Sequence, residues 1–325
     1  MGTTFRTKIS LFGVNDRVDR PVFGIICMLA FCLLAPIGDA VAKFVGSDAP
    51  LLLTLFFRFG VQFVLLLPLA LLTWRFAAGP SIPLNIAFIG WVTLRSGLHI
   101  LGIGMMYMAL RYLPLADALA IAFVMPFILL LLGGYFLGEE VGPLRIAACI
   151  VGFGGSLLVI QPSFANVGLP ALLPIGVAFT FSIFILITRH IAKDCGALAL
   201  QTSSGLIASI MLLAMLLILP DGIHADISIA LPDMPIIWLL FAIGLIGTLA
   251  HLLMTISLRF APSATLAPMQ YLEIPFATVI GWFAFAHFPN GLAQIGIVIS
   301  ILAGLYIIRM EHRTAKNKPA SSGHS

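Results

Sequence analysis

Ionisable side chains occur inside long apolar stretches of this sequence, where charge is rare. Arg95 and His99 are four residues apart, so they share one face of a helix. At 1.5 Å per residue, Arg95 lies about 14 Å and Glu273 about 15 Å from the same end of their predicted helices. Opposite charges at one depth either neutralise each other or bind a zwitterionic small molecule, and both interpretations stay open.

A second group of charges lies near the other end of the first two apolar stretches. Asp39 and Lys43 are four residues apart, so they share a face, and Arg58 lies at a depth similar to that of Asp39. We predict a charge pair between Asp39 and Arg58 across this hairpin. Its role is structural or gating, because an unpaired charge at this depth costs several kcal/mol.

Two histidines are candidates for proton coupling. His251 belongs to a polar stripe with Thr248 and Thr255, and His99 lies one turn after Arg95. Histidine changes its charge near neutral pH, so either ring can carry a coupling proton. The alternative is that each histidine simply packs between helices.

Tyrosines and an amide complete the predicted substrate or proton pathway. Tyr107 and Tyr271 offer aromatic walls for a planar ligand, and Gln270 lies one turn before Glu273. The complete predicted set is Arg95, His99, Tyr107, His251, Gln270, Tyr271 and Glu273.

The composition of the chain indicates that these residues lie in the helices of a membrane protein. Of the 325 residues, 61% are hydrophobic and 9% are charged, whereas a soluble domain carries roughly 25% charged residues. A water-facing globule, a disordered chain and a nucleic-acid binder are therefore excluded. Since a transmembrane helix needs about 20 apolar residues, we predict an all-α polytopic protein with ten spans. The predicted spans are 22–46, 51–73, 86–110, 114–137, 143–161, 169–189, 197–219, 235–258, 263–286 and 291–309.

Lysine and arginine are distributed unequally between the two sides of these spans. The side that holds both termini carries 13 of the 17, whereas the other side carries only Lys43 and Arg111. The positive-inside rule then places both termini in the cytoplasm. We predict a cytoplasmic segment over 1–21 and a disordered cytoplasmic tail over 311–325.

The two halves of the chain resemble each other with an offset near 148 residues. Leu110-Arg111-Tyr112-Leu113-Pro114 reappears as Leu258-Arg259-Phe260-Ala261-Pro262. Chance similarity between leucine-rich helices is the alternative explanation. Because five spans are an odd number, two such halves, 22–161 and 168–310, must cross the membrane in opposite directions, as in secondary transporters.

Signatures of catalysis or metal binding are absent from the sequence. There is no phosphate-binding G-x-x-x-x-G-K-[ST] loop and no H-E-x-x-H metal motif. The four cysteines form no C-x-x-C pair. We therefore expect no enzyme activity, cofactor or metal. The expected partners are a small-molecule substrate and the lipid bilayer, with a proton or other coupling ion left open.

Five segments of the sequence resemble the drug/metabolite transporter superfamily and, within it, the EamA family. The segments are GDAVAK (38–43), LFFRF (55–59), LPLADA (113–118), FLGEEVG (136–142) and APMQYLE (267–273). The resemblance implies two inverted five-helix repeats around a central cavity. It is strongest to the group that includes S-adenosylmethionine carriers and rhizobial-type riboflavin importers. By this resemblance the functional residues are Asp39, Lys43, Arg58, Gln270, Tyr271 and Glu273.

The predicted function is secondary transport of a small metabolite across a bacterial-type inner membrane by alternating access. Uptake of riboflavin or a similar planar vitamin is the leading hypothesis. The alternatives are an S-adenosylmethionine carrier and an amino-acid or metabolite exporter. From a different class, a lipid-handling protein or a membrane-embedded enzyme also remains open.

Overall fold

The protein is described by a computed structural model that covers residues 20–76, 86–138, 141–160, 168–192, 195–219, 225–286 and 291–317. Within these ranges every regular element is a helix. The α-helices are α1 Pro21–Val45, α2 Leu51–Phe76, α3 Ile86–Tyr112, α4 Leu115–Ala122, α5 Met125–Phe136, α6 Pro143–Ile160, α7 Leu173–Ala192, α8 Ala197–Ile218, α9 Met234–Phe260, α10 Ser263–Leu266, α11 Glu273–Phe285 and α12 Gly291–Asn317. Two 3₁₀ segments, Leu169–Leu172 and Ala267–Leu272, precede α7 and α11.

Six helices in the described part of the chain are individually long and apolar enough to cross a membrane: α1, α2, α3, α7, α8 and α9. The predicted ends of these spans agree with the observed helices within a few residues. The all-α, multi-span architecture is therefore confirmed.

The fourth and ninth predicted spans are broken, although we predicted continuous helices. Proline has no N–H, and its ring clashes with the carbonyl four residues earlier. For Pro126 that carbonyl belongs to Ala122, where α4 ends. Pro268 lies in the 3₁₀ segment that separates α10 from α11. The fourth span is thus α4 and α5, and the ninth is α10, the 3₁₀ segment and α11.

The last helix is longer than predicted. We expected a disordered tail from residue 311, but α12 continues to Asn317. Glu311, Arg313 and Lys316 have high helix propensity, so the helix extends beyond its apolar part. Residues 318–325 lie outside the described residues, as do residues 1–19 of the predicted N-terminal segment.

Helix packing follows the predicted repeat. The repeat relates α1 to α7 and α3 to α9, and the structure packs α1 against α9 and α3 against α7. The self-related pairs, α2 with α8 and α6 with α12, also pack together. This exchange of partners is what a pseudo-two-fold axis requires, so the five-span halves form an inverted repeat.

Helix ends define two faces of the molecule. At the terminal face α1 begins beside the end of α9, and the Arg20 amide donates to the Phe260 carbonyl at 2.6 Å. At the opposite face α1 ends at Val45, and the following Gly46 lies close to Arg111 in the last turn of α3.

A basic clasp joins α1 to α3 at the opposite face. The Lys43 ammonium group donates to the carbonyls of Leu110 and Leu113, each at 2.8 Å. In return Arg111 donates through Nε to the Gly46 carbonyl at 2.9 Å. Both side chains thus satisfy carbonyls that helix ends leave without a partner.

The terminal face carries the equivalent clasp in the second half. Arg189, at the end of α7, donates to the Leu258 carbonyl at 2.7 Å. Arg259, at the end of α9, donates to the Cys195 carbonyl. Because the same exchange occurs once at each face, the two clasps are an independent indication of the inverted repeat.

Candidate functional site

A cavity of about 750 Å³, its open mouth included, lies among α1, α2, α3, α4, α7, α9 and α11. Most lining residues of the long helices come from the half nearer the opposite face, such as Asp39 on α1, Arg58 on α2 and Tyr107 on α3. Phe31 on α1 and His251 on α9 lie near mid-depth, slightly toward the terminal face. The cavity therefore extends from mid-depth toward the opposite face.

Close contact between α1 and α9 seals the terminal-face side of this cavity. The Ser257 hydroxyl donates to the Gly24 carbonyl at 2.6 Å. A Cβ added at Gly24 would lie 2.5 Å from the Ala261 Cβ, so only glycine permits this approach. No space for a small molecule remains where the two helices meet.

The cavity is mostly apolar and has few polar groups. Three of its walls carry the aromatic rings of Phe31, Phe123 and Phe181. The polar lining residues are Asp39, Arg58, Tyr107, His251 and Glu273, all of which were predicted. A few polar groups in an apolar pocket are typical of a small-molecule site, where they set the orientation of the ligand.

Arg58 is held in the cavity wall by several side chains. Its guanidinium donates to Gln62 Oε1 at 3.2 Å and to His251 Nδ1 at 3.0 Å. Gly247 leaves room for the guanidinium, since a Cβ there would lie 2.2 Å from the Arg58 Nε. The cation is therefore fixed in one position before any ligand binds.

Asp39 lies within electrostatic range of Arg58, but in the described structure the two side chains form no direct ion pair. The Arg58 donors instead point to Gln62 and His251. Lys43, the third member of the predicted group, lies outside the cavity and belongs to the clasp at the opposite face.

Glu273 is the second carboxylate of the cavity, and its side chain is only 6% exposed. It is the first residue of α11, where the positive end of the helix dipole favours a negative charge. Asp39 is close enough to interact electrostatically with it. The cavity therefore contains two carboxyl groups and one guanidinium group.

Arg95 lies outside the cavity, in the part of the molecule nearer the terminal face. It is fully buried and donates to Thr188 at 2.8 Å, to Gln201 Oε1 at 2.8 Å, to Ser204 and, at 3.4 Å, to Thr255. These four partners come from α7, α8 and α9. The depth match with Glu273 does not bring the two residues together, because they face different sites.

His99 packs behind the cavity wall. Its ring stacks on Phe184 at 4.4 Å and lies 4.3 Å from the His251 ring, measured between centroids. It is fully buried, and neither of its nitrogens has a hydrogen-bond partner. The structure thus brings the two predicted histidines together, with His251 in the cavity and His99 beneath it.

Gln270 and Tyr271 lie in the 3₁₀ segment and do not line the cavity, although the resemblance assigned them a role there. Both are fully buried. The Tyr271 ring packs against Gly152 of α6, where an added Cβ would lie 2.4 Å from the ring. The position of Tyr271 favours a packing function.

Gly152→Val is expected to destabilise the protein by about 1–3 kcal/mol, because the new side chain must displace the Tyr271 ring. Thermal unfolding of the detergent-purified protein measures the change. Gly154→Val on the same helix is the matched control, since a Cβ there meets nothing within 4 Å. Equal unfolding temperatures for the two variants would contradict the close packing of α6 on Tyr271.

Sequence reasoning missed the partners of the two buried arginines. Gln62, one turn after Arg58, is fully buried and joins α2 to α8 through the Gln201 carbonyl at 2.8 Å. The sequence could have indicated Gln62, because a residue four positions after Arg58 lies on the same face of the helix. Thr188, Gln201 and Ser204 carried no such signal, since they meet Arg95 only through helix packing.

Comparison with known proteins identifies the family. The profile of the EamA-like transporter family matches residues 22–161 and 168–310. The chain belongs to the EamA-like transporter family. This EamA-like protein is thus a multi-pass membrane protein of a transporter family, and its family points to transport rather than catalysis.

Individual relatives of this EamA-like protein are named for transport of two cofactor-related molecules. It is 30% identical over 220 residues to the riboflavin transporter of Rhizobium johnstonii, covering 68% of this chain and 70% of the relative. It is 24% identical to the riboflavin transporter of Vibrio cholerae, with 92% and 97% covered. It is also 24% identical to the S-adenosylmethionine uptake transporter of Rickettsia prowazekii, with 95% and 100% covered.

A solved crystal structure has the same fold. It superposes with a TM-score of 0.68 at 18% identity and covers 90% of this chain and 97% of the other. At that identity the likeness concerns the fold alone. The predicted family and the ten-span inverted-repeat fold of this EamA-like protein are confirmed.

Proposed function

We propose that this EamA-like transporter takes up riboflavin or a similar planar vitamin. The observation that carries the proposal is the cavity of about 750 Å³ with aromatic walls and few polar groups. An apolar pocket with a few polar groups is the usual form of a small-molecule site. Relatives named riboflavin transporter, which resemble most of this chain, support the same substrate class.

The cavity offers different surfaces to the two parts of such a ligand. Phe31, Phe123 and Phe181 suit a flat aromatic ring system, which packs on their faces or edges. Asp39 and Glu273 can accept hydrogen bonds from the hydroxyl groups of a sugar-like chain.

The transporter then works by alternating access between its two inverted repeats, 22–161 and 168–310. Both termini lie in the cytoplasm of a bacterial cell, as the unequal distribution of lysine and arginine indicates. In that orientation the cavity is accessible from outside the inner membrane and closed toward the cytoplasm.

Transport of S-adenosylmethionine is the second candidate. A sulfonium or ammonium cation would be attracted by Asp39 and Glu273, which outnumber the single arginine of the cavity. Relatives named S-adenosylmethionine uptake transporter match 95% and 94% of this chain. The test must therefore compare a neutral ligand with a cationic one.

Uptake of radiolabelled riboflavin by a riboflavin-auxotrophic bacterium expressing the chain tests the proposal. We expect saturable uptake that unlabelled flavins block and S-adenosylmethionine does not, with cells carrying the empty vector as control. Absence of uptake at normal membrane abundance would contradict riboflavin transport. Block by S-adenosylmethionine at equal concentration would favour the second candidate, and efflux from preloaded cells would reveal an exporter.

A further inference from the structure

The part of the molecule between the cavity and the terminal face is closed, yet its interior is polar. Six buried polar side chains from five helices lie there in contact with one another or with backbone. We call this group the polar seam: Gln62, Arg95, Thr188, Gln201, Ser204 and Thr255.

The polar seam runs from mid-depth to the terminal face. Thr188, Gln201 and Thr255 lie four or five residues from the terminal-face ends of α7, α8 and α9, or about 6–8 Å. Arg95 lies nine residues inside α3, or about 14 Å. Gln62 bonds to Arg58 of the cavity and to α8, so the polar seam continues the cavity wall without interruption.

Arg95 holds this seam together. From α3 its guanidinium bonds to α7, α8 and α9 simultaneously, and its carbon lies 4.6 Å from the centre of the Phe184 ring. In the described structure all its hydrogen-bond partners are neutral hydroxyl or amide groups. Such bonds can exchange for bonds to water more easily than an ion pair can, because no opposite charge is left unpaired.

Unpartnered polar atoms collect where the cavity meets the polar seam. Both ring nitrogens of His99 and Nε2 of His251 lie there in buried positions, with the two rings 4.3 Å apart, whereas the unpartnered Nε2 of Gln201 lies deeper in the polar seam. A buried polar atom without a partner costs about 1–3 kcal/mol. Three such atoms on two adjacent rings, and a fourth inside the polar seam, indicate that water or a ligand reaches them in another conformation.

We propose that the polar seam is the terminal-face half of the translocation path and that Arg95 closes it. When Arg95 releases the hydroxyls of α7, α8 and α9, Thr188, Ser204 and Thr255 become the walls of a passage that suits hydroxyl and amide groups. This inference rests on the proposed transport function but not on the identity of the cargo.

Cysteine labelling tests the polar seam in a chain whose four native cysteines are replaced by alanine. Ser204→Cys is compared with Leu206→Cys, which lies on the same helix but is exposed on the outer surface. A charged, membrane-impermeant methanethiosulfonate is applied to vesicles that present the terminal face. Because the thiolate is the reactive form and needs water, we expect Ser204→Cys to react at least roughly tenfold faster.

Equal labelling of both variants at wild-type membrane abundance would overturn the proposal. If Ser204→Cys does not fold, Thr255→Cys with Ile256→Cys as control gives the same comparison on α9. Fast labelling at Ser204→Cys without riboflavin uptake would leave the polar seam standing and reject riboflavin alone. Riboflavin uptake with equal labelling would reject the polar seam alone.

Arg95→Lys distinguishes closure from a merely structural role. A single ammonium group cannot reproduce the fork of donors that reaches three helices. We expect the Ser204→Cys labelling rate to rise about tenfold in this background, since lysine cannot form all the hydrogen bonds by which Arg95 holds the closed state. A fall in abundance with an unchanged labelling rate would contradict closure by Arg95.

Discussion

Replacing Glu273 with glutamine is expected to lower uptake of the cargo at least tenfold, while the amount of folded protein in the membrane stays unchanged. Glutamine keeps the shape of the side chain at the start of α11 but removes the negative charge from the cavity. A hydrogen bond to a charged group contributes about 1.5–3 kcal/mol, which corresponds to roughly 10–100-fold in binding. Initial uptake rates, normalised to membrane abundance, measure the effect.

Asp233→Asn is the matched control for this experiment. It makes the same change of charge at an exposed position before α9, outside the cavity. Its uptake should equal that of the wild type. Full uptake by Glu273→Gln would show that the cavity carboxylate does not contact the cargo.

Replacing Arg58 with methionine is expected to reduce the amount of folded protein sharply. Gln62 and His251 would each lose a buried partner, at a cost of about 1–3 kcal/mol apiece. Fluorescence-detected size exclusion and thermal unfolding measure the loss. Arg309→Met, at an exposed position of α12, removes the same charge without a buried partner and should remain folded.

Adding Asp39→Asn to Arg58→Met distinguishes the predicted ion pair with Asp39 from the observed hydrogen bonds of Arg58. The predicted ion pair implies that Asp39→Asn combined with Arg58→Met restores folded protein. The structure implies that it does not, because Gln62 and His251 remain without the guanidinium. Recovery of wild-type abundance in the double variant would contradict the hydrogen-bonding role described above.

The helices could be predicted almost entirely from the sequence, but their interruptions could not. Apolar length alone determines where a helix such as α3 or α9 must begin and end. Prolines were visible inside several predicted spans, yet Pro36 and Pro68 lie within continuous helices whereas Pro126 and Pro268 lie at breaks. The outcome depends on which neighbouring helices satisfy the freed carbonyls, and the sequence does not contain that packing.

The polar lining of the cavity lies within the predicted set of residues, but several members of that set, such as Arg95 and Gln270, do not line it. Arg58 and His251 were both singled out as ionisable residues inside apolar spans, and both line the cavity. Depth gives no direction around the helix axis, so it could not show that Arg95 and Glu273 face different sites. The partners of Arg95 come from three other helices, and only tertiary packing brings them together.

The two clasps imply an unequal tolerance to mutation. Each one joins a basic side chain to main-chain oxygens, which every amino acid supplies. Substitution at an accepting position such as Leu110 or Leu258 therefore leaves the acceptor in place, whereas loss of one cation removes the contact. Related sequences should thus vary freely at the accepting positions and retain lysine or arginine at the donating ones. The accepting carbonyl of each such hydrogen bond is thus kept whatever side chain evolution places at that position.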